Sequence, residues 1–470
     1  MASTEKQDDK FEEEFKEPGR IEGCCLVVAA AGIVMLIGGM QNTTGILVVE
    51  WVEYFNTGYT IVSWIGASGG LTLTFAPIAG VVIKRFGLRR CLVSSAIVSC
   101  SAICGSAFST KLWHMYILWM ISGFVSIFHF GPVVAYVLVR FRRYRSIANA
   151  FVVSAATLGT FIYGVIMNTL IEIYTWRGAV LITGAMTLNV IPCSLVLRKW
   201  NRPRCKEDVL LDNNEEEVRD RGDSDNTQMH LGTDTNTETP TERCSGCSGS
   251  DSEVLKQPAL LGLILPVLFL SMSVSILYVH TVSGFMDVCK LDLENARYLV
   301  PCLGASITVS RFVVSTISQH PRVDTFTLFL MANVLLSVTV ALIPVFEGFT
   351  AAVVLVVIIG VGLSAFGGIT HLVIAEIIDD KHIHMAVQYM FLPAGIGYMI
   401  GAPIIGWLYD ATGNYIYSFE LTAVLVAFSV LTILPFWIKH FRSLSSENLS
   451  KEICRIRPAR GHPADDIKIT

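Results

Sequence analysis

Arg311 closes the stretch Gly304-Ala-Ser306-Ile-Thr308-Val-Ser310-Arg311 and is the one formal charge placed well inside a long apolar segment of this chain. An arginine at the middle of a membrane helix costs roughly 2.5 to 3.5 kcal/mol on insertion scales, so it must face a water-filled cavity or a partner. Its planar fork suits a carboxylate, which it grips at two points. Pairing with carbonyls or polar side chains inside a bundle is the other way to satisfy it. Asn42, His129, Asn149, His280, His371 and Gln388 are further polar groups in or at the edges of apolar segments. They suit either cavity hydrogen bonds or ordinary helix-to-helix bonds. Phe366 and Phe391, near glycine-rich turns, suit closure over an apolar substrate tail or plain core packing. Glu376, Asp379 and Asp380 beside Lys381 read as solvated loop charge or as half of a gate. No histidine, aspartate and glutamate cluster has the spacing of a metal site or an acyl-transfer dyad, so no enzyme activity, metal or cofactor is expected. Cys244 and Cys247 stand without a second pair, and the other cysteines lie mainly within apolar runs as small packing residues.

The elements that must position these residues are membrane helices. Hydrophobic residues make up 52% of the chain against 16% charged, and mean hydropathy is +0.56. The apolar residues gather in runs of about 20, the length that crosses a hydrocarbon core of about 30 Å. Helices are predicted over 24–47, 61–83, 91–109, 112–139, 147–171 and 178–197, then over 258–282, 298–318, 325–346, 350–375, 386–409 and 418–439. The fold class is therefore an all-α membrane protein of twelve transmembrane helices in two six-helix bundles. The bundles occupy 23–197 and 258–440, flanked by tails at 1–22 and 441–470. Between them, 198–257 is rich in Asp, Glu, Asn, Thr and Ser and is expected to be a disordered linker. The acidic first 22 residues do not make a signal-peptide n-region. Lys84, Arg85, Arg89 and Arg90 follow helix two, and Arg140, Arg142, Arg143 and Arg145 follow helix four. The positive-inside rule puts those loops, the linker and both termini in the cytosol. The lipid bilayer is thus a partner, and no nucleic acid is.

Helix two and its loop read Gly80-Val-Val-Ile-Lys84-Arg85-Phe86-Gly87-Leu-Arg89-Arg90, which resembles the loop signature of the major facilitator superfamily. Lys84 stands where that signature usually has Asp or Asn. Finer features resemble the monocarboxylate transporter family: Ser63-Trp64-Ile65 leading to Pro77-Ile-Ala-Gly80; Trp176-Arg177-Gly178-Ala179; Tyr278-Val279-His280; and Ile400-Gly401-Ala-Pro403 through Asp410-Ala-Thr412-Gly413-Asn-Tyr415. The Arg142-Arg143-Tyr-Arg145-Ser-Ile-Ala148-Asn149 block belongs with them. The likeness covers nearly all of the membrane part.

This resemblance implies two bundles rocking around a midplane site, a small organic anion as substrate, and a plasma-membrane location. It brings in a single-span ancillary glycoprotein as a partner of related carriers. It favours Arg311 and Asn42 as substrate-binding residues, and the residue reading above adds Phe366, Phe391 and His280. Gly80, Lys84, Arg85, Gly87, Arg89, Arg90, Arg143 and Asp410 are suggested for gating or conformational change. The family's proton symport depends on a lysine and an aspartate whose aligned positions are Asn42 and Ile307, so the branch is divergent. A neutral or aromatic metabolite, such as an amino acid or a hormone-like molecule, is the first alternative substrate. A non-transporting nutrient sensor of the same fold is the second reading.

Overall fold

The computed structural model describes residues 20–141, 145–197, 258–318, 320, 323–368 and 383–456. Arg143, His371, Glu376, Asp379, Asp380, Lys381, the 198–257 linker and residues 1–19 and 457–470 lie outside the described residues. Among those described, every regular element is helical.

Among the described residues, ten stretches are long and apolar enough to cross a bilayer. One of them, residues 147–196, is 50 residues long. At 1.5 Å per residue that is about 75 Å, more than twice a bilayer core, and the helix Arg145–Met186 reverses at Thr175, whose φ of 62° and ψ of 175° are not helical. Spans 5 and 6 therefore meet at Thr175. Span 2 does not count among the ten because it is cut into Tyr59–Gly66, Gly69–Thr74 and Ala76–Phe86. Glycines at 66, 69 and 70 and a proline at the start of the third piece interrupt the helix. With these resolved, the described residues make twelve spans.

Span 1 is Arg20–Asn42 continued by Thr44–Phe55. Span 3 is Leu88–Ser106, and span 4 joins Leu112–Val125 to Gly131–Arg140 through a single 3-10 turn. Span 6 ends at Val190–Val196. Span 7 is Pro258–Val279 with Thr281–Val288; spans 8 to 10 are Leu293–Ser318, Thr325–Leu342 and Phe349–Gly368; spans 11 and 12 are Ile383–Thr412 and Ile416–Ile456.

Several element ends differ from the sequence expectation, and three of them have a physical reason in the structure. Span 1 runs eight residues past its predicted end despite Glu50 and Glu53, because Trp51 is fully buried and meets Trp119 edge-on at 5.2 Å. Span 8 starts five residues early because Arg297 has a partner across the molecule. Helix Ile416–Ile456 continues well beyond the apolar run, through a segment free of proline and glycine.

The two bundles touch where small residues let backbones meet. A Cβ on Gly70 of span 2 would fall 2.7 Å from the carbonyl of Gly395 in span 11, and one on Gly304 of span 8 would fall 2.6 Å from the Phe161 amide of span 5.

Candidate substrate site

A cavity of about 200 Å³ lies between the bundles, lined from spans 1, 2, 4 and 5 on one side and 7, 8, 10 and 11 on the other. Its position follows from broken helices. Span 1 is interrupted after Asn42, where Thr43 leaves helical geometry, and span 4 is interrupted at the 3-10 turn that ends beside His129. Discontinuous helices at membrane depth are tolerated where they face a cavity, because the freed backbone groups find partners there.

Arg311 reaches this cavity from span 8 and is 7% exposed. Its Nη1 donates to the carbonyl of Val153 in span 5 at 3.0 Å. Its Nε is buried with no hydrogen-bond partner. Of the two satisfactions considered from sequence, the bond to a carbonyl of the opposite bundle is present, and Nε has no partner. Tyr278 of span 7 lines the same cavity. One turn before Arg311, the Thr308 hydroxyl sits 2.9 Å from Thr157 Oγ1, also of span 5.

Asn42 faces Arg311's wall from span 1, its Nδ2 donating to Thr160 Oγ1 at 3.1 Å. Phe366 and Phe391 both line the cavity. The Phe391 ring meets Phe130 of span 4 edge-on at 6.3 Å, so an aromatic pair joins the two bundles. Gln41, Phe130 and Tyr398 also line it and were not singled out from sequence. Helical spacing alone does not separate a cavity-facing aromatic from a core one. His129 lines the cavity with Nε2 3.1 Å from Ser95 Oγ. Asn149 lies near the start of span 5 and the side chain of Gln388 is outside the described residues.

His280, expected among the substrate-binding residues, is not one of the cavity-lining residues. It sits at the break in span 7, 1% exposed. Its Nε2 is 2.9 Å from the Ala402 carbonyl of span 11 and 3.1 Å from Ser63 Oγ of span 2, and its Nδ1 is 3.0 Å from Tyr415 Oη. A carbonyl only accepts, so Nε2 carries the hydrogen and Nδ1 accepts from the tyrosine. A neutral imidazole with both nitrogens used has nothing left for a substrate.

That histidine belongs to a cluster of contacts between the bundles at the end of the molecule opposite the basic loops. Span 2 begins after Gly58, which has no side chain to cap it. Asp410 of span 11 supplies the cap from the other bundle, accepting from Tyr59 N at 2.9 Å, Thr60 N at 2.8 Å and Thr60 Oγ1 at 2.5 Å. Gly58 is needed there, since a Cβ would fall 2.5 Å from Asp410 Oδ2. Arg297 of span 8 pairs with Glu50 of span 1, both side chains under one-fifth exposed. The chain positions are 247 apart, and nothing local signals the pair.

The basic-loop residues do different work. Gly87, at φ 85°, makes the single-residue turn between spans 2 and 3 that other residues adopt only with strain. Arg89 donates to the carbonyls of Leu195 and Leu197, both at 2.7 Å, capping the end of span 6 inside its own bundle. The Arg85 guanidinium lies 5.6 Å from the Phe86 ring, Arg90 is exposed, and Gly80 has open space beside it. The side chain of Lys84 is not among those described.

The model of the Major Facilitator Superfamily matches residues 29–372, most of the chain. The chain belongs to the Major Facilitator Superfamily. Its curated relatives include human monocarboxylate transporter 14, 23% identical with 87% of this chain and 89% of the relative covered. Bovine monocarboxylate transporter 13 is 24% identical, covering 88% and 89%, and mouse monocarboxylate transporter 12 is 24% identical, covering 88% and 84%. Within the superfamily it is a divergent relative of the monocarboxylate transporters, and it is a transporter rather than an enzyme. Among solved structures, a bacterial homologue of the human lysosomal transporter Spinster, inward-facing and unoccupied, superposes with a TM-score of 0.62 at 15% identity, over 95% of this chain and 100% of that one. That likeness concerns the fold.

Proposed function

We propose that this major facilitator carries small organic anions with one carboxylate and an apolar body, by alternating access around the Arg311 cavity. The observation that carries the reading is a buried guanidinium with an unpartnered Nε in a cavity otherwise lined by Phe130, Phe366, Phe391, Tyr278 and Tyr398. The fork holds the carboxylate and the aromatic walls hold the rest. Asn42 orients the substrate from the opposite bundle, and Asp410 with the basic loops gates the two ends. The curated relatives' names point to the same substrate class.

Flux into vesicles holding the full chain tests it, across monocarboxylates, amino acids and polyols, with and without an inward proton gradient at constant external pH. Monocarboxylates are expected to enter, and amino acids and polyols to lag. The gradient is expected to change uptake by less than about twofold, because Asn42 and Ile307 do not titrate and His280 is committed to its neighbours. Accumulation driven by the gradient alone would shift the coupling role to His129, the histidine that lines the cavity. Binding of a monocarboxylate without flux would make the protein a sensor.

We further place both termini and the 198–257 linker in the cytosol, on the eight basic residues of the loops after spans 2 and 4, with the plasma membrane as the site of action. Protease added to intact cells is expected to spare an epitope inserted near residue 230. Cleavage in sealed cells would reverse the orientation.

A further inference from the structure

Spans 5 and 8 run antiparallel in one register. Arg311 bonds the Val153 carbonyl, Thr308 meets Thr157, a Cβ on Gly304 would fall 2.6 Å from the Phe161 amide, and a Cβ on Gly164 would fall 2.9 Å from Pro301 Cδ. Each step moves about one turn up one helix and one turn down the other. The next step sets Asn168 of span 5 against Arg297 of span 8. Asn168 is 3% exposed, and neither its Oδ1 nor its Nδ2 has a partner. The Nε of Arg297 is buried without one too, while Nη2 of the same guanidinium holds Glu50. Buried polar groups are nearly always hydrogen-bonded, so two bare groups at one level of a helix seam point to a missing acceptor. A carboxamide offers two N–H donors and the guanidinium edge offers another. The acceptor that suits such a set is a carboxylate.

We infer that Arg297 and Asn168 form a second carboxylate station at the end opposite the basic loops, where an incoming anion takes Glu50's place on the guanidinium and releases the contact between spans 1 and 8. This rests on the proposed anion reading and adds a site about 21 Å from Arg311 along the same helix. Glu50 is itself a carboxylate, so the pair already shows the grip that a substrate would use. Its side chains are 12% and 18% exposed for Arg297 and Glu50, so an anion from solution reaches the guanidinium and competes. As the two spans part, Nε and the Asn168 amide come within its reach. Between Arg297 and Arg311, span 8 carries no other charge.

The full-length protein in lipid nanodiscs, spin-labelled through unnatural residues at Lys111 and Thr350, which are exposed on the two bundles at that end, is titrated with pyruvate or with neutral pyruvamide at constant ionic strength. Pyruvate is expected to raise the longer-distance population by at least about threefold in the wild type and equally in Arg311→Gln, and pyruvamide to leave it unchanged. Arg297→Gln is expected to abolish the response to pyruvate, whatever its resting distribution. Asn168→Leu keeps the Glu50 pair and is expected to raise the half-saturating pyruvate concentration by at least about fivefold. A response that disappears in Arg311→Gln, persists in Arg297→Gln or is unaltered in Asn168→Leu overturns the station. Uptake of radiolabelled pyruvate by the wild type separates the two readings. Uptake without any distance response overturns the station alone and leaves the anion-carrier reading standing. Neither uptake nor response overturns both. Should Arg311→Gln not fold, the Arg297→Gln and Asn168→Leu titrations decide.

Discussion

Replacing Arg311 by alanine is expected to abolish monocarboxylate flux, with uptake falling more than about 100-fold in a carrier that still reaches the membrane. The guanidinium is buried, bonded to the Val153 carbonyl, without a partner at Nε, and lines the cavity. Removing one member of a buried charge pair costs about 3 to 5 kcal/mol, because the other is left desolvated and alone, which at about 1.4 kcal/mol per tenfold exceeds a hundredfold in affinity. Arg311→Lys is expected to restore flux in part, since an ammonium keeps the charge but lacks the two-pronged geometry. Initial rates of radiolabelled pyruvate uptake, normalised to surface protein, measure both. Wild-type uptake by a correctly folded Arg311→Ala carrier would sink the assignment.

The second large effect is expected at the sealed end. Asp410 makes three hydrogen bonds to the first turn of span 2, and Arg297 pairs with Glu50 between spans 8 and 1. Both contacts cross from one bundle to the other, so both must break for this end to open. Loss of a helix cap costs about 0.5 to 2 kcal/mol, and hydrogen bonds to a charged group contribute about 1.5 to 3 kcal/mol. Asp410→Ala combined with Glu50→Gln is therefore expected to shift the population toward the open end by at least about tenfold. Spin labels introduced as unnatural residues at Lys111 and Thr350, exposed on the two bundles at that end, report the change by pulsed resonance. A new, longer distance population is expected in the double variant. A distance distribution identical to wild type would show that neither contact holds the seal. Asp410→Asn keeps acceptor geometry on one oxygen and is expected to fall between the two.

Much of this protein was legible without its structure because the bilayer constrains helices so tightly. A run of about 20 apolar residues has one stable use in lipid, with all of its backbone bonds made internally. The twelve spans, the two bundles, the kinship with the superfamily and the arginine within span 8 follow from that constraint and from local motifs around Gly80 and Asp410. The family resemblance pointed to Asn42 and the glycine-rich turns to Phe366 and Phe391, and all three line the cavity.

Other features were decided by contacts between residues far apart in the chain. His280 looked like a substrate ligand because a polar group in an apolar run needs a partner. Which partner it takes depends on Ala402, Ser63 and Tyr415, each brought to it by a different span. Glu50 and Glu53 read as the end of span 1, yet the helix continues because Trp51 is buried and Arg297 comes to Glu50 across the bundle interface. The cap on span 2 is invisible from Gly58 alone, since the capping carboxylate lies 350 residues downstream of Thr60. Hydropathy and spacing report a residue's own preference for lipid or water. Hydrogen bonds and ion pairs depend on distances of about 3 Å, and only the tertiary structure sets those distances between spans.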